Sequence, residues 1–258
     1  MGRGNRDKKI LQILQKIAND PEQHYEVRRS DITQLTQFRD PSLIPTFVNA
    51  LKDDYRFIRF WAIRGLIKIG DIKATNALVQ GLGDDDEEIR KEVMAHLEAK
   101  GKEAGSALIK AFNHPDAKKF LKYGALGLIG RTNHPDRIST LLKALDDEDD
   151  RVVTIALRGL GKAMDPAAIF PLIELYLAKE NRRRLIEDAL FRIGQEYQKD
   201  VVIALAPLLS AEDEILPSFS KNLLRKFGNS YAFLGDMANS ETITPELKTA
   251  ITKFMKEL

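Results

Sequence analysis

Hydrophobic residues recur along this chain at spacings of three and four, the pattern of a helix that buries one face. In the clearest segment the apolar or small positions are Ile58, Trp61, Ala62, Gly65, Leu66 and Ile69. A second segment follows directly, with Leu78, Val79 and Leu82 on its buried face. An alternation of period two, which marks a strand, persists nowhere in the sequence. The pattern therefore predicts an all-α chain without a sheet.

Glycine, aspartate and proline separate the two predicted helices. Gly70 ends the first helix, because glycine adopts a positive φ at the least cost, and Asp71 can cap the second. Asp40-Pro41 and Asp165-Pro166 follow the same logic, with proline at the first helical position. The chain is thus predicted to consist of helix–turn–helix units.

These units recur at nearly constant spacing. The segment from Ile58 to Leu82 aligns without a gap with the segment from Val152 to Tyr176. The residue predicted to end the first helix of each unit is Arg39, Gly70, Gly101, Gly130, Met164, Gly194 or Gly228. Successive positions differ by 31, 31, 29, 34, 30 and 34 residues. We therefore expect about seven stacked two-helix repeats, each burying its apolar face against its neighbours.

The repeats are predicted to form one domain over residues 1–258, an α-solenoid with a right-handed superhelix. Residues 25–230 hold the repeats, and the last repeat, from about Ile215, is degenerate. The ends of such a stack need polar-faced caps. Residues 6–19 and 245–258 are amphipathic and are predicted to be these N-terminal and C-terminal capping helices.

The string I-R-x-x-A-x-x-G-L-x-K-I-G-D-x-x-A-x-x-x-L, from Ile58 to Leu78, resembles the HEAT-like repeat of the phycobilisome-lyase type. The resemblance covers roughly residues 25–230 and implies the HEAT-like α-solenoid fold. Proteins with this repeat include bilin lyase subunits, phycobilisome-degradation factors and bacterial adaptors. The family pattern has glycine where this chain has Arg39 and Met164, so the helix ends there are expected to differ.

Composition and charge exclude several classes of protein. The absence of cysteine removes disulfides, thiolate metal sites and cysteine nucleophiles. No apolar run approaches the length of about 18 residues that a membrane span needs, so we expect no membrane insertion. The basic N-terminus lacks the features of a secretory signal, and a cytoplasmic protein is expected. With 40 basic and 38 acidic residues, the net charge of +2 makes nucleic acid an unlikely partner.

The histidines and acidic runs give no sign of a metal or catalytic centre. None of the four histidines precedes a glutamate, although HEAT-like deoxyhypusine hydroxylases bind iron through such pairs. His114-Pro115-Asp116 and His134-Pro135-Asp136 are predicted turns in which the aspartate caps the next helix. The acidic runs Asp84–Glu88 and Asp146–Asp150 lack the pattern of a calcium loop. We expect no metal and no cofactor.

Arginine follows a hydrophobic anchor in three matched repeats, at Arg28, Arg59 and Arg90. These arginines are predicted to pair with turn aspartates of the neighbouring repeat and so form a ladder. Substrate binding is the alternative role.

The second helices should line the concave side of the solenoid and leave two exposed rows of residues. One row is Pro45, Asn76, Ser106, Ser139 and Phe170. The other row is Asn49, Gln80, Lys110, Lys143 and Glu174. The rows lie four residues apart on each helix and therefore share a face. Such a mixed polar surface suits a protein partner.

Two further groups of side chains have a structural and a functional interpretation. One is an aromatic cluster of Tyr55, Phe57, Phe60 and Trp61. It either packs in the core, as Trp61 should, or forms an interface hot spot, for which Tyr55 and Phe60 are the candidates. Two basic clusters either lie on solvated helix faces or bind nucleic acid. They comprise Lys118, Lys119 and Lys122, and Arg182, Arg183 and Arg184.

The leading hypothesis from the sequence is a non-enzymatic scaffold or adaptor that binds another protein along the concave rows. A bilin lyase or phycobiliprotein-processing factor is the alternative, which rests on the resemblance alone. Nucleic-acid binding through the basic clusters is the second alternative.

Overall fold

The computed structural model of the protein describes residues 11, 12, 14–16, 18–20 and 22–258. All regular secondary structure in these residues is helical, which confirms the prediction of an all-α chain. Residues 11, 12, 14–16 and 18 are helical, with Leu11, Leu14 and Ala18 buried. The rest of the predicted N-terminal capping helix (6–19), apart from Asn19, lies outside the described residues.

From residue 25 onward the α-helices form seven consecutive pairs, followed by one further helix. The pairs are α1 (Tyr25–Leu35) and α2 (Ile44–Ala50), α3 (Arg56–Ile69) and α4 (Ile72–Leu78), α5 (Glu87–Lys100) and α6 (Lys102–Phe112), α7 (Lys119–Ile129) and α8 (Arg137–Lys143), α9 (Asp150–Ala163) and α10 (Ile169–Ala178), α11 (Arg183–Glu196) and α12 (Gln198–Leu205), and α13 (Ile215–Leu224) and α14 (Ser230–Ala238). The last helix is α15 (Pro245–Met255). Short 3₁₀ turns flank several helices, at Pro41–Leu43, Val79–Gly83, Ala144–Asp146, Pro166–Ala168, Glu180–Arg182 and Ala206–Ser210. The predicted seven repeats are therefore present.

The chain divides into two compact units, residues 1–137 and 138–258, with the boundary at the start of α8. A single domain over the whole chain remains a prediction.

In the first unit, first helices pack on first helices and second helices on second helices. Helices α1, α3, α5 and α7 follow one another in this way, and α2, α4 and α6 do likewise. Ile58, Ile63 and Leu66 of α3 are almost completely buried between these layers. Trp61 and Ile69, which were predicted for the core, are only partly buried. Ile63 is buried instead because its side chain packs against Gly81 of the adjacent 3₁₀ turn.

In the second unit, α9 packs on α11, α10 and α14 pack on α12, and α15 packs on α14. Ile251 and Phe254 of α15 are fully buried, and the Thr244 hydroxyl caps the helix by accepting a hydrogen bond from the Leu247 N–H at 3.2 Å. The Glu257 carboxylate pairs with Lys221 at 3.0 Å. This helix covers most of the segment predicted to be the C-terminal cap.

The turns between helices are held by side chains that accept a hydrogen bond from the backbone N–H two residues later. The Asp53 carboxylate accepts from Tyr55 at 3.0 Å, and Asp84 accepts from Asp86 at 2.8 Å. In the two His-Pro-Asp turns the acceptor is the histidine Nδ1, at 3.2 Å from the backbone nitrogen of Asp116 or Asp136. The turns are confirmed, and histidine holds both of them. Asp116 was expected to cap the next helix, but no side chain caps α7.

The positions predicted to end the first helices differ in their conformation. Gly70, Gly101 and Met164 have positive φ angles of 69°, 53° and 45° and directly follow a helix. Gly130 also follows its helix, but its φ is −61°. Arg39 and Gly228 lie beyond the helix ends, at the fourth residue after Leu35 and Leu224.

Gly194 was expected to end a helix but lies inside α11. A Cβ atom at this position would overlap the ring of Phe227. The glycine is therefore explained by close packing against an aromatic ring, and the prediction of a helix end there is wrong.

Gly65→Ala should destabilise the protein. Gly65 lies against the ring of Phe47, which is fully buried, and a Cβ atom would overlap that ring. Overpacking typically costs about 1–3 kcal/mol, and the better helix propensity of alanine returns up to about 1 kcal/mol. The free energy of unfolding, measured in urea, should therefore fall by about 1–2 kcal/mol, and adding Phe47→Leu should restore part of it. Gly228→Ala is the control, because nothing lies within 4 Å of its added Cβ. An equal loss in both single variants would contradict this account.

Met164→Gly should stabilise the protein. Met164 has a left-handed conformation that glycine adopts without strain, and its side chain is 42% exposed, so little packing is lost. The greater flexibility of glycine in the unfolded chain offsets part of this effect. We therefore expect the free energy of unfolding, measured in urea, to rise by about 0.5–1 kcal/mol. Gly70→Ala, at a φ of 69°, should produce a loss. A destabilised Met164→Gly variant would show that the Met164 side chain contributes more than the strain costs.

Asp31→Asn should stabilise the protein at neutral pH and progressively less in acid. Asp31 is 6% exposed, its Oδ2 has no hydrogen-bond partner, and burial raises the pKa of its carboxyl group. The folded state therefore binds a proton more tightly than the unfolded state, so the charged form costs stability above the folded pKa. The free energy of unfolding, measured for both proteins from pH 7 downward, should converge as the pH falls through that raised pKa. A constant difference across the range would refute the assignment.

Candidate binding cleft

Arg59 and Asp84 form a nearly buried ion pair that joins successive repeats. The Arg59 Nε donates to Asp84 Oδ2 at 2.8 Å, and its Nη2 donates to Oδ1 at 3.0 Å. Its Nη1 donates to the backbone carbonyls of Asp53 and Asp54 at 3.0 and 3.1 Å. The hydrogen bonding of its guanidinium to the Asp84 carboxylate is the main cause of the raised pKa of Arg59. All three nitrogens of this guanidinium are thus occupied.

Arg28 repeats this arrangement one repeat earlier. Its Nε and Nη2 donate to Asp53 at 3.1 and 3.3 Å, and its Nη1 donates to the Gln23 carbonyl at 2.6 Å. The predicted arginine–aspartate ladder is confirmed at these two positions. The prediction is wrong for Arg90, which forms no ion pair within the described residues.

Beside this ladder the first unit has an open cleft of about 900 Å³. Residues from α3, α4, α6, α7 and the turns between them line it. Its apolar lining residues include Leu51, Val79, Ala107, Ala111 and Leu121. Three successive inter-repeat turns and the helices beside them form its walls. The cleft therefore extends over successive repeats of this unit.

Charges of both signs lie around the cleft. Asp54, Asp85 and Asp116 line it and recur at intervals of 31 residues. Lys52, Lys110 and Lys118 also line it. Within the described residues none of these six side chains forms an ion pair, in contrast to Asp53 and Asp84. The sequence analysis missed the three aspartates as a set, although their spacing was a visible signal.

The structure brings four of the predicted row residues together on this cleft. They are Asn76 of α4, Gln80 of the 3₁₀ turn that follows α4, and Ser106 and Lys110 of α6, and all four are exposed. Asn49 is also exposed but is not among the lining residues, and its side-chain amide donates to Asn19 Oδ1 at 3.2 Å.

Ser106 is held in place by His134. The Ser106 Oγ lies 2.9 Å from His134 Nε2. Because His134 Nδ1 already accepts the Asp136 N–H, Nε2 carries the proton and donates it to the serine oxygen.

The remaining row residues belong to the second unit. Ser139, Lys143, Phe170 and Glu174 are all exposed there. Phe170 is 65% exposed, the largest fraction among the exposed large hydrophobic side chains of the described residues.

The aromatic cluster is only partly in the core. Tyr55 is 47% exposed and stacks on Tyr25 with ring centroids 4.4 Å apart. Phe60 and Trp61 are half-buried and meet edge to face at 5.8 Å. Phe57, the remaining member of the cluster, is 54% exposed.

The two basic clusters differ in structure. Lys118 and Lys119 are exposed at the start of α7, and Lys122 is half-buried. Arg184 is exposed, and Arg183 pairs with Glu180 at 3.2 Å.

Arg182 does not lie on a solvated helix face, so that interpretation is wrong for this residue. It is 8% exposed, pairs with the Asp150 carboxylate and donates to Thr154 Oγ1 at 2.8 Å. The start of α9 supplies both partners, which a run of arginines in the sequence does not reveal.

In the part of the chain that the structure describes, no three histidine, aspartate or glutamate residues are grouped so that they could hold a metal ion. Among the described helices, none has both the length and the apolar character that crossing a membrane requires.

Several solved structures of other proteins align with most of this chain. Importin beta aligns with 99% of this chain and 44% of its own, at 13% identity and a TM-score of 0.50. The complex of CpcE and CpcF of phycocyanin lyase from Nostoc sp. PCC7120 aligns with 96% of this chain and 94% of its own, at 21% identity and a TM-score of 0.34. A designed armadillo repeat protein in complex with the peptide (KR)4 aligns with 84% of this chain and 99% of its own, at 19% identity and a TM-score of 0.35.

No curated protein matches the sequence significantly. A family model for HEAT repeats matches residues 6–97 and 105–191, which together make up more than half of the chain. The chain therefore belongs to the HEAT repeat family.

Proposed function

We propose that this protein is a scaffold or adaptor that binds an extended segment of another protein in the cleft of its first unit. The observation that carries the proposal is the convergence of Asn76, Gln80, Ser106 and Lys110 on one cleft of about 900 Å³. Its volume lies at the upper end of the range of about 300–1,000 Å³ that small-molecule pockets span. More than half of its lining residues are polar or charged.

The dimensions of the cleft fit an extended peptide. The three inter-repeat turns that line it are separated by two repeat intervals, and packed helices lie roughly 10 Å apart. An extended chain rises about 3.3 Å per residue, so roughly six residues would span the cleft.

The chemistry of the cleft fits a peptide backbone as well. The amides of Asn76 and Gln80 each offer a donor and an acceptor, which is what the N–H and C=O groups of an extended segment need. The apolar surface of Val79 and Leu121 can cover side chains, and the charges at the rim would select the sequence that binds. By contrast, Arg59 and Asp84 are already committed to the ladder.

Replacing Asn76, Gln80 and Lys110 together by alanine should abolish partner binding without affecting the fold. All three side chains are exposed, and exposed substitutions usually change stability by no more than about 0.5 kcal/mol each. A partner captured from the native source and identified by mass spectrometry would be purified and titrated calorimetrically against wild type and variant. Thermal unfolding would be measured alongside.

Arg158→Ala, Arg184→Ala and Lys199→Ala together form the matched control, since these side chains are equally exposed but lie in the second unit. The control should bind the partner as wild type does. Undiminished binding by the Asn76, Gln80 and Lys110 variant would exclude the cleft as the binding site.

A further inference from the structure

The arginine–aspartate ladder lacks one of its carboxylates. Arg28 pairs with Asp53 and Arg59 with Asp84, in each case 25 residues further along the chain. The corresponding position for Arg90 is Pro115, which has no carboxylate. Within the described residues, Arg90 forms no ion pair.

Arg90 is nevertheless anchored in the same way as Arg59. Its Nη1 donates to the backbone carbonyls of Asp84 and Asp85 at 2.6 and 2.9 Å, as Arg59 Nη1 does to Asp53 and Asp54. The Phe120 ring covers one face of the guanidinium, with its centroid 4.2 Å from Cζ. Stacking on a face leaves the in-plane N–H groups available. The Nε and Nη2 edge that binds aspartate in Arg59 therefore has no acidic partner in Arg90.

His114, the residue before Pro115, has in its turn the role that Asp84 has one repeat earlier. It holds its turn through Nδ1, which accepts the Asp116 N–H, as the Asp84 carboxylate accepts the Asp86 N–H one repeat earlier. With Nδ1 occupied as an acceptor, Nε2 carries the proton and is a donor. We call each pairing position of the ladder a rung. The third rung thus has donors in both Arg90 and His114 and lacks a carboxylate that could accept from them.

Charges of both signs surround this rung, since Asp85 and Asp116 line the same cleft and two lysines lie nearby. Lys118 and Lys119 are exposed at the start of α7, and no side chain caps the first turn of that helix. Glu87 is electrostatically coupled to Arg90, but its carboxylate pairs with Lys91 at 2.9 Å. Arg90 is not itself a lining residue, but Asp84 and Asp85, whose backbone carbonyls anchor it, line the cleft together with His114 and Lys118. Arg90 is therefore bound to the wall of the cleft.

We infer that Arg90 is the receptor for a carboxylate group that the bound partner supplies, so that the partner completes the ladder. This inference rests on the proposed function, and it defines the partner as a segment with an acidic residue. The ligand is a carboxylate because Arg28 and Arg59, in the same setting, hold carboxylates through the same two nitrogens at 2.8–3.3 Å. A planar bidentate pair is the geometry that guanidinium groups favour.

Acetate is the probe for a direct test. The arginine Nε–H signals of the ¹⁵N-labelled full chain would be followed by NMR while sodium acetate replaces sodium chloride at constant ionic strength. We expect a saturable shift of the Arg90 signal and none of the Arg158 signal, which belongs to an exposed arginine. The absence of a saturable Arg90 shift, or an equal shift of both signals, overturns the inference.

Two variants separate the bidentate site from general charge. His114→Asp restores the rung, since aspartate serves the same turn at Asp53 and Asp84, and should abolish the acetate response while raising the melting temperature. Arg90→Lys keeps the charge but lacks the planar pair of donors. It should bind an identified partner more weakly, whereas Arg158→Lys should bind it as wild type does. An acetate response that persists in His114→Asp, or unchanged partner affinity in Arg90→Lys, contradicts the inference.

The outcome also distinguishes this inference from the proposed function. If the Asn76, Gln80 and Lys110 variant loses the partner but acetate does not shift Arg90, the cleft binds the partner and the inference about Arg90 fails. If acetate shifts Arg90 while that variant still binds the partner, the carboxylate site stands and the cleft proposal fails.

Discussion

Burial between neighbouring repeats is the constraint on which this structure depends. A single pair of helices cannot cover its own apolar face, so each repeat relies on the next for its core. Close contacts illustrate this dependence. Because Gly65 and Gly194 have no Cβ atom, the rings of Phe47 and Phe227 can pack directly against them. Helix propensity alone would favour alanine at both positions. The packing between layers therefore determines these residues.

The repeat and its helix pairs could be predicted because the spacing of hydrophobic residues is a local property of the sequence. Gly70 and Gly101 end helices as expected, because a helix end with a positive φ favours glycine and the sequence shows glycine there. Gly194 could not be assigned in this way, because glycine serves both helix ends and close packing, and the sequence does not distinguish the two. The burial of Arg182 depends on Asp150, 32 residues away, and such pairings emerge only in three dimensions.

The candidate site could be predicted in part, for a related reason. The row residues Asn76, Gln80, Ser106 and Lys110 follow from helix register and do share one cleft. Which charges remain available could not be foreseen, because Asp53 and Asp54 are neighbours in sequence but only Asp53 pairs with arginine. The ladder thus divides the acidic residues that line the cleft into those whose carboxylates are bound by arginine, Asp53 and Asp84, and those that form no ion pair within the described residues.

Each ion pair of the ladder joins residues at the same separation in sequence. This regularity affects how the number of repeats in such a chain can change. Arg28 and Arg59 each contact a partner 25 residues ahead, and the two arginines are 31 residues apart. If 31 residues between equivalent positions were deleted, Arg28 would meet Asp84 at the same sequence distance, and duplication would add a rung in register. Recombination within the gene can therefore shorten or lengthen the protein by whole repeats while these ion pairs re-form without any compensating substitution.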